Sequence, residues 1–341
     1  MLLFYQTPGY EDMELSTQIV IASALEQRIE VRVLDRRANL ICLKKGRHRE
    51  YIQEATKTSK DSWMTSILMV NKSVSKQILQ ENGLCVPKGK CYGALNKALM
   101  DYPLFLKKKC VVKPKTTDMG VGVVVLQKNT GKSAFKKALT NAFSYDKDVI
   151  VEEFMEGMEY RFLVINNKLI GVIRRIPANV TGDGKNSIET LIKIKNKSPL
   201  RAEWCRGPLE YIVLGKLEKE VLQNQGLSFR SLLPKGKTVF LRHNSNLATG
   251  GDSVDYTDEV HFSYKKIAIR AAQAFNAKIC GVDIIIKNIK QASHQNGNYR
   301  IIEVNDNPGI TMHNFPYHGK NRNVGKHVLE LLGFIGRGDR T

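Results

Sequence analysis

The sequence predicts a mixed α/β (α+β) fold divided among two or three subdomains. Three observations carry that expectation. At 341 residues the chain exceeds what one compact core of ordinary size holds. Its 42% hydrophobic and 25% charged residues are the composition of a globular protein, not of a disordered or fibrous one. Runs with apolar residues at helical spacing also alternate with short β-rich runs along the whole chain.

Residues 15–29 place apolar side chains at helical spacing, and Glu30–Asp35 alternates as a short strand. Ile41–Leu43 and Glu50–Ile52 flank a basic turn at Lys44–Arg49 and predict a hairpin. After a polar stretch at Thr56–Ser62, Asn71–Asn82 predicts a helix, with Gly83 just past its end where a left-handed residue is favoured. From Pro87 to about Asp148 the pattern is strand, helix, strand, glycine-containing turn, strand, helix. Cys110–Lys113 and Val121–Leu126 are the β-rich runs around the turn, Gly131–Tyr145 is the helix, and Val149–Glu152 is the strand after it. Beyond it the chain is strand-rich, at Tyr160–Ile165, Lys168–Ile176, Thr238–Leu241, Gly281–Lys287 and Tyr299–Val304. Helices are expected at Ser187–Asn196, Ser263–Phe275 and Asn323–Leu332. No internal repeat or low-complexity segment occurs, which excludes solenoids and linker proteins.

Lys and Arg number 53 against 33 Asp and Glu, a net charge of +20. A surplus of that size suits a polyanionic partner. Much of it lies in runs such as Lys107–Lys109, Lys132–Lys137 and Lys193–Lys197, which are ordinary solvated faces. No aromatic-and-basic RNA-binding pattern interleaves them, so nucleic acid is not the expected partner. No apolar run approaches the ~18–20 residues of a membrane helix. The opening lacks a basic n-region and meets acid at Glu11, so a cytoplasmic protein with no secretory leader is expected. The six scattered cysteines form no C-x-x-C pair, which predicts reduced thiols.

Three motifs carry chemistry. Gly281-Val-Asp283 and Ile301-Ile-Glu303-Val-Asn305-Asp306-Asn307-Pro308-Gly309 set acid among isoleucines. Residues two apart on a strand share a face, so Glu303 and Asn305 point the same way. With Asp283 on a neighbouring strand they would form an all-oxygen set suited to Mg²⁺; salt-bridged strand residues are the alternative. Without a cation, their charges are expected to be partly desolvated and mutually repelling. Lys113-Pro114-Lys115 leads into a Thr116–Gly122 turn whose backbone could cradle phosphate, or simply close a hairpin. Neither a Walker A loop nor a G-x-G-x-x-G fingerprint is present. Val151-Glu152-Glu153-Phe154-Met-Glu-Gly157-Met-Glu159 is a strand, a turn and a resumed strand, where backbone groups can read a base edge and an acid beyond can hold ribose hydroxyls.

In this order the three motifs resemble the ATP-grasp superfamily, in which two α+β subdomains grip ATP. The resemblance runs from about residue 60 to the end. Ile176-Pro-Ala-Asn-Val-Thr-Gly182-Asp-Gly184 and Leu241-Arg242-His-Asn244-Ser-Asn-Leu-Ala-Thr249-Gly250-Gly251 are similar to the branch containing cyanophycin synthetase and the glutathione-synthetase module of bifunctional glutamate–cysteine ligase/glutathione synthetase. Ala55-Thr-Lys-Thr-Ser, Ser198-Pro-Leu-Arg201 and Phe315-Pro-Tyr-His-Gly319-Lys extend the likeness to that module, as does the opening from Glu14 to Arg36. The sequence has no counterpart of the glutamate–cysteine ligase module.

The resemblance implies an N-terminal α/β segment over 1–70, a smaller subdomain over 71–150 that acts as a lid, and a larger one over 151–341 bearing metal and phosphate ligands. It implies an ATP-dependent carboxylate–amine ligase working through an acyl phosphate, of glutathione-synthetase type. The alternatives are a ligase for a different carboxylate peptide and a non-catalytic ATP-binding protein. The implied cofactors are ATP and two Mg²⁺, with Mn²⁺ as a substitute. The implied partners are small-molecule substrates and a separate glutamate–cysteine ligase; a homo-oligomer stays open. Lys72 and Lys113 would contact phosphates under a turn that includes Thr116, Gly120 and Gly122. Glu152, Glu153 and Phe154 would receive adenine, and Glu159 ribose. Arg242 would reach the γ-phosphate, and Asp283, Glu303 and Asn305 would hold metal. Arg174 and Arg175 would grip the substrate carboxylate, with Asn244, Asn307, His313 and Arg322 on the acceptor side.

Overall fold

The computed structural model describes residues 4–117, 121–203, 206–242, 244–294 and 297–336. At its centre is a five-stranded antiparallel sheet in the order Asp252–Asp255, Lys168–Ile176, Met158–Ile165, Ile279–Ile286, Tyr299–Asn305. Period-two alternation gives each strand an apolar face. Phe162, Val164, Val172, Val282 and Ile284 are buried on that face under the helix Phe262–Ala274, whose Tyr264, Ile267, Ala268 and Ala271 recur at helical spacing. Helices Trp63–Val70 and Lys72–Glu81 deliver Met69 and Leu79 to the same core.

On the opposite face Leu163, Ile165 and Ile279 meet a second core. The helices Leu15–Glu26 and Val324–Leu332 build it, together with the antiparallel sheet Glu30–Asp35, Leu40–Lys45, His48–Gln53. This core covers only part of the face. The rest carries Glu159, Arg161, Arg175, Asp283, Glu303 and Asn305, a polar floor that an apolar lid could not cover without desolvating charges.

A four-stranded antiparallel sheet, ordered Gly89–Tyr92, Val149–Glu153, Cys110–Pro114, Val124–Leu126, has a core of its own. Tyr92, Val112 and Val151 pack there on Phe135 and Leu139 of the helix Lys132–Phe143. Residues 178–241 form an insertion between two strands of the central sheet, with a fourth core around Val180, Ile192, Leu222 and Val239.

Helix starts follow capping chemistry: Ser62, Asn71 and Ser187 each accept a hydrogen bond from the backbone N–H three residues on. Gly83 closes the helix Lys72–Glu81 at φ +69°, where a side chain would be strained. The structure adds helices at Trp63–Val70 and Lys216–Gln223 and short strands at Asn179–Thr181 and Asp252–Asp255. The first helix leaves Trp63, Met64, Ile67 and Val70 exposed, so it lacks the polar face that marks a surface helix. Among the described residues no helix is long and apolar enough to cross a membrane. Cys42, Cys85, Cys91, Cys110 and Cys280 are free thiols, and Cys205 lies outside the described residues.

Candidate active site

Strand register assembles the floor. Asp283 stands directly opposite Arg161 on one neighbouring strand and Glu303 on the other. Asn305 opposes Gly281, two residues before Asp283, and so shares its face. Arg161 grips Asp283 with two donors, Nε to Oδ1 and Nη2 to Oδ2 at 2.7 Å. Arg175 Nη2 adds a bond to Oδ2 at 3.0 Å and also pairs with Glu159. Burial pushes the Asp283 carboxyl up, but Arg161 and then Arg175 more than offset it and hold it below the usual carboxylate range. The expected repulsion at this face is therefore corrected: the guanidinium groups of Arg161 and Arg175 supply the positive charge that compensates Asp283.

Neighbouring positions on a strand point to opposite faces, so the structure separates Arg174 from Arg175. Arg175 joins the floor. Arg174 lines a cavity of about 790 Å³ on the other side, beside the insertion and Tyr317.

The donor chemistry of the floor fits Mg²⁺. Among the described residues Asp283 Oδ1 takes a single hydrogen bond, from Arg161 Nε, and so keeps a lone pair. The amide nitrogen of Asn305 donates to Gly281 O at 3.4 Å, leaving its carbonyl oxygen as the acceptor. Among the described residues no three His, Cys, Asp or Glu side chains are grouped closely enough to hold a metal alone. A site with few protein donors is what Mg²⁺ bridging phosphates uses, since substrate oxygens and water complete its shell.

The smaller sheet carries a second charged cluster. Lys113 and Glu152 share its inner face, and Lys113 Nζ lies 2.6 Å from Glu152 Oε1. Lys76, from the helix Lys72–Glu81, pairs with the other oxygen. The Glu152 side chain is 4% exposed. Its carboxyl is pushed up by burial and pulled further down by Lys113 and Lys76, so it stays ionised. Lys72 Nζ donates to Thr117 O at 2.5 Å, which brings it against the proposed phosphate turn. Thr116 anchors that turn, with its N–H and hydroxyl each 2.7 Å from Asp146 Oδ2. Gly122 turns at φ +72°, with room for no Cβ beside Pro114 and Tyr145. Gly120 lies outside the described residues.

At the hinge between the sheets, Glu153 accepts from Arg300 Nε at 3.2 Å and the Phe154 ring lies under Lys109 Nζ at 3.8 Å. Glu159 also accepts from Ser245, tying the loop after the insertion to the floor. Arg242 is paired at 2.5 Å with Glu218, whose side chain is 1% exposed. Asn244 Oδ1 accepts from Thr249 Oγ1 at 2.9 Å. Asn307 receives the Thr56 hydroxyl and donates to Glu54 at 2.7 Å, which pins the N-terminal segment to the strand end that bears Asn305. Arg322 is held by Asp255 and Asp258. His313 is wholly buried, and burial drives its pKa down to about 3. Among the described residues, neither ring nitrogen of His313 has a hydrogen-bond partner.

Sequence reasoning passed over Lys76, Arg161, Glu218 and Asp255. Arg161 carried the one usable signal, since it stands two residues after Glu159 on the same strand and hence on the same face.

Residues 11–64 match the ATP-grasp-like domain family, residues 94–194 the D-ala D-ala ligase C-terminus, and residues 236–328 the RimK-like ATP-grasp domain. The chain is 48% identical over 324 residues to the glutathione biosynthesis bifunctional protein GshAB of Clostridium perfringens, covering 95% of this chain and 42% of that protein. The protein of the same name from Desulfotalea psychrophila is 42% identical over 328 residues, covering 96% of this chain and 42% of that protein. A crystal structure of a bifunctional glutathione synthetase from Pasteurella multocida superposes with a TM-score of 0.80 at 41% identity, over 96% of this chain and 45% of that one. This chain thus spans under half the length of each of these three relatives.

Proposed function

We propose that this chain, which belongs to the ATP-grasp superfamily, joins a carboxylate to an amine at the expense of ATP, with γ-glutamylcysteine and glycine as its substrates. The observation that carries the reading is a pair of charged clusters, one on each of the two sheets. Lys72, Lys113 and the Thr116 turn belong to one, and Arg161, Arg175, Asp283, Glu303 and Asn305 to the other. Phosphoryl transfer needs positioned cations around dispersed anionic charge more than it needs a protein nucleophile.

In this reading Glu152, Glu153 and Phe154 receive adenine, Glu159 meets the ribose, and Lys72 and Lys113 hold phosphate oxygens. Asp283, Glu303 and Asn305 hold Mg²⁺, as two ions, with Mn²⁺ able to substitute; the metal neutralises charge on the transferring phosphoryl. Arg175 already lies against Asp283, and Arg242 stands on the loop that also delivers Ser245 to Glu159. In this reading both stabilise the phosphoryl group as the substrate carboxylate takes it up. The acyl phosphate then reacts with the amine and releases inorganic phosphate. The acceptor-side residues Asn244, Asn307, His313 and Arg322 shape the substrate side, with Asn307 and Arg322 acting through the loops they pin; Arg174, on the opposite face of the sheet, takes no part in it. The glutamate–cysteine ligase that supplies the peptide is a separate partner or a further module, and the reaction is placed in the cytoplasm.

The test is an omission series on purified protein with ATP and Mg²⁺. Phosphate release is expected only when γ-glutamylcysteine and glycine are both present. Release with another peptide and amino acid, and none with this pair, would overturn the substrate assignment and leave the ligase chemistry standing.

A further inference from the structure

Lys76 has no task in the ligase chemistry, yet it pairs with Glu152 beside Lys113. Lys72 and Lys76 are one turn apart and share a face of their helix. Lys72 reaches the phosphate turn and Lys76 reaches Glu152. Glu152 thus offers one oxygen to each of two lysines, Oε1 to Lys113 and Oε2 to Lys76. The three side chains of Lys76, Glu152 and Lys113 are 13%, 4% and 15% exposed. One buried carboxylate therefore balances only one of two ammonium charges. Burial and then the charge of Lys113 lower the Lys76 pKa to about 8, against the opposing pull of Glu152.

The surplus cation has a use when phosphates arrive. If Glu152 had Lys113 alone, moving that lysine onto a nucleotide would strand a carboxylate on a residue only 3% exposed, and an unpaired buried ion is strongly unfavourable. With two lysines, Glu152 can release one and stay paired. Lys76 is the one suited to remain. It enters from a helix anchored in the central core, and its side chain is only 13% exposed. Lys113 sits three residues before Thr116, at the mouth of the phosphate turn.

We propose that Lys76 is a positioning residue that keeps Glu152 paired and in place, so that Lys113 can move onto the nucleotide phosphates. The exchange rests on the reading of Lys113 as a phosphate ligand. Only ligands with phosphates call for it, which separates it from a role in shaping the base pocket.

The experiment compares Mg²⁺–ADP and adenosine binding by calorimetry in wild type, Lys76→Met and Lys76→Arg. Lys76→Met should weaken ADP by roughly 30- to 4,000-fold, the range set by losing one partner of a buried charge pair, and shift adenosine by no more than about twofold. Lys76→Arg should recover ADP binding to within about threefold of wild type. Equal weakening of both ligands, or no weakening of ADP, would overturn the proposal. If Lys76→Met does not fold, Lys76→Gln carries the same comparison with the same expected split. A wild type that gains nothing from the phosphates of ADP over adenosine would overturn the phosphate role of Lys113, and this proposal with it.

Discussion

Replacing Arg161 with Met should expose how strongly the floor depends on one ion pair. Arg161 provides two of the three guanidinium contacts to Asp283, whose side chain is 2% exposed. Met retains most of the apolar stem but leaves the carboxylate with a single bond from Arg175 at 3.0 Å. Removing one partner of a buried pair costs about 3–5 kcal/mol, mostly the penalty of the ion left behind. The pH dependence follows from the direction of the shift. In the wild type the Asp283 carboxyl is held below its usual range, so its contribution is present at pH 7 and is lost only as pH falls through that lowered value. In the variant, burial dominates and the carboxyl titrates above its usual value of about 3.9, so protonation relieves the stranded charge as pH falls. Urea unfolding at about pH 7 and about pH 4.5 should therefore show a large deficit that shrinks at the lower pH. Adding Asp283→Asn to the variant should recover most of the deficit at pH 7. A deficit below about 1 kcal/mol at pH 7, or one that does not change with pH, would refute the reasoning.

Three further outcomes follow from the same geometry. Asp252→Asn should leave Lys195 and the fully buried Arg201 side chain without their shared carboxylate, weakening the insertion by about 3–5 kcal/mol; faster limited proteolysis within residues 178–241 is the readout. Gly171→Ala places a Cβ 2.6 Å from His313 Nδ1, against a ring with no space to retreat, and should lower the melting temperature through an overpacking cost of about 1–3 kcal/mol. Glu303→Gln keeps shape and hydrogen bonding, so its melting curve should stay near wild type while phosphate release falls by roughly 100-fold or more. Normal turnover in that variant would make Glu303 a structural strand residue.

Much of the fold could be read from local signals. The hairpin at 40–53, the capped helix from Lys72 and the strands bearing Asp283 and Glu303 all announce themselves through alternation, an N-cap or a terminal glycine. The short strands Asn179–Thr181 and Asp252–Asp255 carry too few residues for periodicity to register, and only pairing with distant partners makes them strands. The site divided along the same line. Its motifs fixed which acids and lysines to consider, because their order along the chain is itself the signal. Their partners could not be read, since Arg161 meets Asp283 across 122 positions through register alone. Lys76 looks like any lysine on an amphipathic helix until the smaller sheet brings Glu152 against it. The full burial of His313 was equally hidden, because it depends on Gly171 of the distant strand Lys168–Ile176 leaving room for the ring.

The most direct test of the ligase account follows oxygen. If the substrate carboxylate is activated as an acyl phosphate, one of its oxygens must leave with the phosphate when the amine attacks. With γ-glutamylcysteine labelled by ¹⁸O in its cysteine carboxylate, plus glycine, ATP and Mg²⁺, the products should be ADP, the amide, and inorganic phosphate carrying one ¹⁸O per turnover. Unlabelled phosphate, or AMP and pyrophosphate in place of ADP and phosphate, would contradict the account.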